Sequence, residues 1–359
     1  MILWPFFLKG KTVKKSIGGW LNSVAVLAVI SGFAAGIYSL SDTHVVVRYF
    51  TDSTDKTIGS LIYVVVGSWI GCLLFLPQGQ FLGRWLSRDQ FQGWQRPVGR
   101  DWLYVCSAGF TGAGATFFYL LGLSRYGPSR VVVLSSAVLV LLLMLDFVRR
   151  RIDLSMTFPA SIVFLGILLS SINFEDGIKI SVGLILIVLI AHNFLYVISI
   201  WFFQAGSRRM DSINFTFWRF LSFAVFATVF VVIWVVVAGK VGIFQDVLFG
   251  GFTGALPFIL FTMIFGFLEV VLESQARRDG GKMSMVSFLK QSAIIPAMFL
   301  TYLLNWIWVG SLGDVATDTQ SVVIRVGAAA IVLLGLYLLT RRKLVEEQEI
   351  ESEEILVVV

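Results

Sequence analysis

Two carboxylates and an ammonium group stand in sequence otherwise suited to hydrocarbon: Glu269, Glu273 and Lys290 in GFLEVVLESQARRDGGKMSMVSFLKQ, residues 266–291. Charged groups so placed can neutralise one another, hold an oppositely charged solute or carry a proton. Left alone at the centre of a membrane helix, each costs about 2.5–3.5 kcal/mol on insertion scales. Glu269 lies eight residues before Arg277, and Lys290 eight after Lys282. At 1.5 Å per residue both stand about 12 Å from the short basic turn between them, at matching depth on antiparallel neighbours. Glu273, one turn nearer that turn on the same face as Glu269, is placed to meet Arg277 or Arg278. Two arrangements satisfy these constraints. One is an ion pair that fixes the two helices together. In the other the pair lines a central cavity, with Lys290 holding an anionic group, Gln291 hydrogen-bonding beside it, and Glu269 serving as counter-ion or proton carrier.

Further polar groups interrupt other apolar runs. His192, Asn193 and Tyr196 cluster, with His192 and Tyr196 on one helix face by their i,i+4 spacing. An imidazole titrates near neutral pH and suits proton coupling, and it suits a hydrogen-bonded core position equally. Trp218 and Arg219 form an aromatic–cation pair of the sort that lines organic-solute pockets, with Asn214 one turn away. Asp42 and His44 close an apolar run in SLSDTHVVV and are expected to be wetted near its end. Arg325 is expected to snorkel to an interface. No HExxH, paired DxxxD, GxSxG or Walker pattern occurs, and neither histidine has a second metal-type ligand near it. No metal, cofactor or catalytic residue is therefore expected, and the chain is not read as an enzyme. Cys72 and Cys106 lack a CxxC spacing and read as small buried hydrophobes.

The elements that must position these groups follow from composition. Of 359 residues, 57% are hydrophobic and only 14% charged, against about 25% charged in a soluble domain. Apolar runs able to cross about 30 Å of hydrocarbon recur at roughly 20–40, 60–77, 103–123, 128–147, 156–172, 179–204, 212–238, 250–274, 283–306 and 321–340. They lack the period-2 alternation of a membrane barrel. Ten transmembrane helices are expected.

Basic residues orient them. With the N-terminus inside, the inner segments hold 19 Lys and Arg and the outer loops 6. By the positive-inside rule both termini are cytoplasmic, in an inner or plasma membrane. The net charge of +6 follows from this bias and does not point to nucleic acid. Residues 1–19 read as a cytoplasmic N-terminal segment and 343–359 as an acidic cytoplasmic tail.

An even division gives two five-helix halves, 20–172 and 173–342, of opposite orientation, a recurring plan among transporters. GFTGA occurs at 109–113 and again at 251–255. LSRYGPSRVVVLSSAV (123–138) has a counterpart in ARRDGGKMSMVSFLKQSAI (276–294): a basic, Gly-containing turn, then an apolar helix with small polar residues a few positions in. The two echoes do not share one offset, so either one is chance or the eighth span carries about three extra turns. Gly32xxxGly36, Gly67xxxGly71 and Gly250xxxGly254 each put two glycines on one helix face for close packing. Pro257 and Pro296 are expected to kink their spans.

The ten-span count, the 5+5 division and TGAGATFFYLLGLSRYGPSRVVVLSSAVLVLLLMLDFVRRR at 111–151 resemble the drug/metabolite transporter superfamily, especially its EamA-type members. The chain departs from that pattern in lacking a proline within 131–145 and in its longer loops at 78–102 and 307–320. The resemblance implies a secondary active transporter that exports or exchanges a small polar metabolite by alternating access, with protons as the candidate coupling ion. Its partners would be that small-molecule substrate and the lipid bilayer. Glu269, Lys290, Gln291, His192, Tyr196, Trp218 and Arg219 are the site candidates. Two other readings remain at this point: a non-transporting receptor or assembly subunit, and an intramembrane enzyme acting on a lipid-linked substrate.

Overall fold

A computed structural model describes residues 24–50, 56–86, 91–148, 157–173, 179–278, 283–308, 312 and 320–338. The segments 1–19 and 343–359 lie outside these residues, as do several of the counted loop bases, among them Arg88, Arg149, Arg150, Arg151 and Lys282. Among the described residues the chain is helical apart from the 91–99 segment, a few turn residues and one two-residue antiparallel pairing of β1 (Ile172–Asn173) with β2 (Lys179–Ile180). Seven helices among the described residues are long and apolar enough to cross a membrane, which makes this an integral membrane protein. They are α1 (Val24–Arg48), α2 (Lys56–Leu86), α3 (Arg100–Tyr126), α7 (Val182–Ser207), α8 (Ser212–Val237), α9 (Val241–Arg278) and α12 (Gln320–Leu338).

The three remaining expected spans are also helical over their described residues. α6 (Thr157–Ser171) is described over 15 residues, about 22 Å. The stretch expected at 128–147 is two pieces, α4 (Pro128–Ser135) and α5 (Ala137–Val148), interrupted at Ser136. The stretch expected at 283–306 is α10 (Met283–Lys290), a 3₁₀ turn at Gln291–Ala293, and α11 (Ile294–Ile307). The first break comes after eight helical residues. At the first, the hydroxyls of Ser135 and Ser136 donate to the carbonyls of Val132 and Val133, competing with the helix ladder; at the second, Pro296 has no N–H for the Ser292 carbonyl four residues before it.

A neighbouring helix is hydrogen-bonded to each break, and at the first it gives a carbonyl the donor that the ladder no longer supplies. Asn193 Nδ2 of α7 donates to Leu134 O at 3.1 Å. Asn193 follows directly on a π-helical segment, Ile185–His192, whose wider turns re-aim its side chain. At the second break, Ser292 Oγ donates to Val29 O of α1 at 3.0 Å. α1 comes this close because of its glycines. A Cβ on Gly32 would stand 2.3 Å from Lys290 O, and one on Gly36 2.5 Å from both Ala293 O and Pro296 Cγ. Gly36→Leu is accordingly expected to cost about 1–3 kcal/mol, read as a lower melting temperature in detergent. An unchanged melt would mean α1 does not pack here as tightly as described.

The long α1 and α9 run antiparallel. Ser41 Oγ donates to Phe258 O at 3.1 Å and Ser31 Oγ to Glu269 O at 2.9 Å, so the two helices keep register over ten residues. The GFTGA copies fall near the starts of α3 and α9, where Gly109 packs on Ser222 and Gly251 on Tyr49. α3 has 27 residues and α9 has 38, which is eleven more, or three turns. That length accounts for the unequal offsets of the two sequence echoes. α6 and α12 also meet through paired glycines: Gly166 lies against Ala328 and Val332, and Gly335 against Pro159 and Val163.

Candidate functional site

α1, α2, α3, α7, α8, α9 and α10 enclose a cavity of about 160 Å³. Its wall on α9 is one helical stripe, Thr262, Met263, Gly266, Glu269, Val270 and Glu273, that repeats at three- and four-residue steps. Tyr38 and Asp42 face it from α1, and Tyr63, Val64, Gly67 and Ser68 from α2. Thr116 and Leu120 (α3), Tyr196 (α7), Arg219, Phe220 and Phe223 (α8) and Lys290 (α10) complete it.

Of the seven residues expected at a site, Glu269, Lys290, Tyr196 and Arg219 line this cavity together. Lys290 Nζ forms a salt bridge with Glu269 Oε1 and another, of 2.6 Å, with Glu273 Oε2. It also donates to Tyr196 Oη at 3.0 Å. Glu273 is held from its other side by Arg277, whose Nε and Nη2 donate to Oε1 at 3.0 and 2.5 Å. The order Glu269–Lys290–Glu273–Arg277 is thus an alternating chain of charge along α9, each member within reach of the next. Such alternation is what allows ions to remain buried, since every charge has an opposite neighbour and further hydrogen bonds.

Arg277 differs from its expected place. It was counted with the basic turn, yet α9 continues to Arg278 and the Arg277 side chain is 0% exposed. Its Nη2 also donates to Ser287 Oγ at 2.9 Å, and its guanidinium lies 5.7 Å from the Phe203 ring. One side chain thereby joins α9, α10 and α7.

The other three candidates stand elsewhere. His192 is one layer behind the cavity, its Nδ1 2.9 Å from Ala115 O and its ring stacked on Tyr196 at 5.5 Å. That makes it a support for Tyr196, which in turn meets Lys290. Gln291 is buried in the 3₁₀ turn and is not among the lining residues. Trp218 lies away from the cavity: its Nε1 donates to Gln95 O at 2.6 Å and its ring meets Trp102 at 5.4 Å. There it anchors the segment 91–99, with Asn214 accepting from Gln95 N at 2.8 Å and donating to Gly93 O at 2.9 Å. The charged neighbour Arg219 points the other way, 4.6 Å over the Phe203 ring.

Asp42 and His44, expected to be wetted, are buried at 6% and 5% exposure. Tyr63 Oη donates a short hydrogen bond to Asp42 Oδ1. His44 is packed among the rings of Tyr49, Phe258 and Trp308. Arg325 is likewise buried, at 6%, where snorkelling to an interface was expected. Asp42 and Tyr63 are cavity residues that sequence reasoning did not join, because their partnership spans two helices. Cys72 is a buried free thiol and Cys106 a half-buried one.

No protein-family model matches this chain, and no curated protein matches it in sequence. The chemistry of the site is therefore drawn from its own geometry: a polar cavity within an apolar bundle, charged at two levels, with aromatic and aliphatic walls between them.

Proposed function

We propose that this protein is a secondary transporter of the drug/metabolite type, moving a small polar solute through the cavity by alternating access. The observation that carries the reading is the cavity, which gathers Asp42, Arg219, Glu269, Glu273 and Lys290 inside a bundle whose helices are otherwise apolar. Intramembrane charges are costly, and where they gather around a space they mark substrate or ion paths. An engineered cavity of about 150 Å³ takes up benzene, so a solute of comparable size fits.

A ten-span architecture of two inverted five-helix halves belongs to this proposal. Three pairings support it. The helices at 128–148 and 283–307 are both interrupted part-way, at Ser136 and at Gln291–Ala293. Each break is met by the first helix of the opposite half, α7 in one case and α1 in the other. The fifth and tenth helices cross through reciprocal glycines, as a two-fold relation in the membrane plane would require. Orientation with both termini cytoplasmic rests on the 19 to 6 distribution of basic residues. Glu269 is the proposed proton carrier, because its partner Lys290 has a second carboxylate, Glu273, to fall back on when Glu269 is neutral.

Uptake into proteoliposomes, measured over a panel of small metabolites with and without a pH gradient, tests the function. Wild type should accumulate at least one of them, and Glu269→Gln should lose the response to the gradient. Deletion of residues 345–359 should leave uptake largely intact. If wild type moves nothing, while that deletion abolishes a cellular phenotype, the protein is a receptor or assembly subunit instead.

A further inference from the structure

The sequence assigned anion binding to Lys290, but its ammonium is shared between two carboxylates. The free positive charge is elsewhere. Arg219 has no hydrogen bond or ion pair to any described residue; its Nε is buried without a partner, and its guanidinium rests on the Phe203 ring. Its Nη2 lies beside Gly112, where an added Cβ would stand 3.6 Å away, in ordinary contact. Glu269 lies within Coulombic range of Arg219 but makes no hydrogen bond to it. At this level three cations (Arg219, Lys290 and Arg277) face two carboxylates (Glu269 and Glu273), an excess of one positive charge. At the other level Asp42 has the Tyr63 hydroxyl and no cation among the described residues, an excess of one negative charge.

The distance between the two levels follows from the helix contacts. Asp42 stands beside Thr262 of α9, and Arg219 lies within Coulombic range of Glu269 on the same helix. Thr262 and Glu269 are seven residues apart, about 10 Å of helical rise. Two charge-assisted contacts of about 2.8 Å each leave space between these levels only for a short skeleton. Resting on the transporter reading for its purpose, the geometry points to a small zwitterion as the solute: an anionic group on Arg219, a cationic nitrogen on Asp42 and Tyr63, and a compact apolar body against Leu120 and Phe223. A dipolar ligand neutralises both levels at once. A simple anion leaves Asp42 uncompensated, and a simple cation leaves Arg219 so.

Thermal melting of the purified full-length protein in detergent tests this. The probes are small α-amino acids and betaines, each compared with its N-acetyl acid or des-amino acid, which is anionic only, and its methyl ester, which is cationic only. At about 100-fold excess over Kd a bound ligand raises the melting temperature by several degrees. At least one zwitterion should do so while its singly charged counterparts do not. The rise should vanish in Arg219→Gln and in Asp42→Asn and persist in part in Arg219→Lys, which keeps the charge. Equal stabilisation by a singly charged counterpart, survival of the rise in either neutralised variant, or no rise from any zwitterion overturns the inference. Uptake separates it from the reading on which it rests. Selective binding without uptake in proteoliposomes keeps the site and removes the transporter, whereas uptake of singly charged solutes alone keeps the transporter and removes the zwitterion.

Discussion

Lys290→Met is expected to cost the fold about 3–5 kcal/mol, the usual loss when one partner of a buried ion pair is removed and its counter-charge stays behind. The effect is large here because Lys290 serves two carboxylates, Glu269 and Glu273, and also the Tyr196 hydroxyl. Glu273 keeps Arg277 in the variant, but Glu269 is left with no hydrogen-bonded cation. Removing Glu269 as well should therefore restore most of the loss: Lys290→Met with Glu269→Gln takes out one charge of each sign and leaves the Glu273–Arg277 pair intact. Melting of wild type, the two single variants and the double variant closes a thermodynamic cycle, and residues in one ion network give coupling of about 0.5–3 kcal/mol or more. Additive losses would mean that Lys290 and Glu269 do not act as a pair. Uptake by the double variant then separates the two roles read from the sequence. A pair that only fastens α9 to α10 leaves transport working once the fold is restored, and a pair in the solute path does not.

That this pair could be anticipated at all comes from a turn. Arg277 to Lys282 is short and basic, so counting eight residues along each helix sets Glu269 and Lys290 at one depth, and the structure brings them together. The helix breaks were legible only in part. Small polar residues at 135–136 and 291–292 marked both places as alike, and at the second Pro296, four residues beyond Ser292, lacks the N–H that would bond the Ser292 carbonyl. The first has hydroxyl competition and no proline, and at the second the close approach of α1 depends on a glycine pair some 260 residues away. Asp42 was misplaced for a related reason. Its position near the end of an apolar run suggested water, whereas its surroundings are set by Tyr63, 21 residues away on another helix. For Trp218 and Arg219 adjacency misled: neighbours in a helix point about 100° apart, so the tryptophan faces the 91–99 segment and only the arginine reaches the cavity.

The same angular argument governs Arg277, four residues beyond Glu273 and on its face. Arg277→Met is expected to destabilise the protein as much as Lys290→Met, about 3–5 kcal/mol, although it adjoins the basic turn and would ordinarily be treated as a surface residue. Its guanidinium makes two bonds to Glu273 and one to Ser287 Oγ, and it lies 3.4 Å from Gln204 Oε1, so truncation orphans acceptors on three helices. Arg277→Lys should fall between the two, because an ammonium retains the charge but cannot span Glu273, Ser287 and Gln204 from one planar fork. Melting in detergent gives the ranking. A functional consequence follows without any contact to the cavity: with Arg277 gone, Lys290 is drawn toward Glu273, and the positive excess that faces Arg219 disappears. Arg277→Lys should then keep the ligand-dependent rise in melting temperature that Arg277→Met loses, each variant being compared with its own ligand-free melt. If Arg277→Met melts with wild type, the alternating chain ends at Glu273, and the charge at that level of the cavity is set by Lys290 and Arg219 alone.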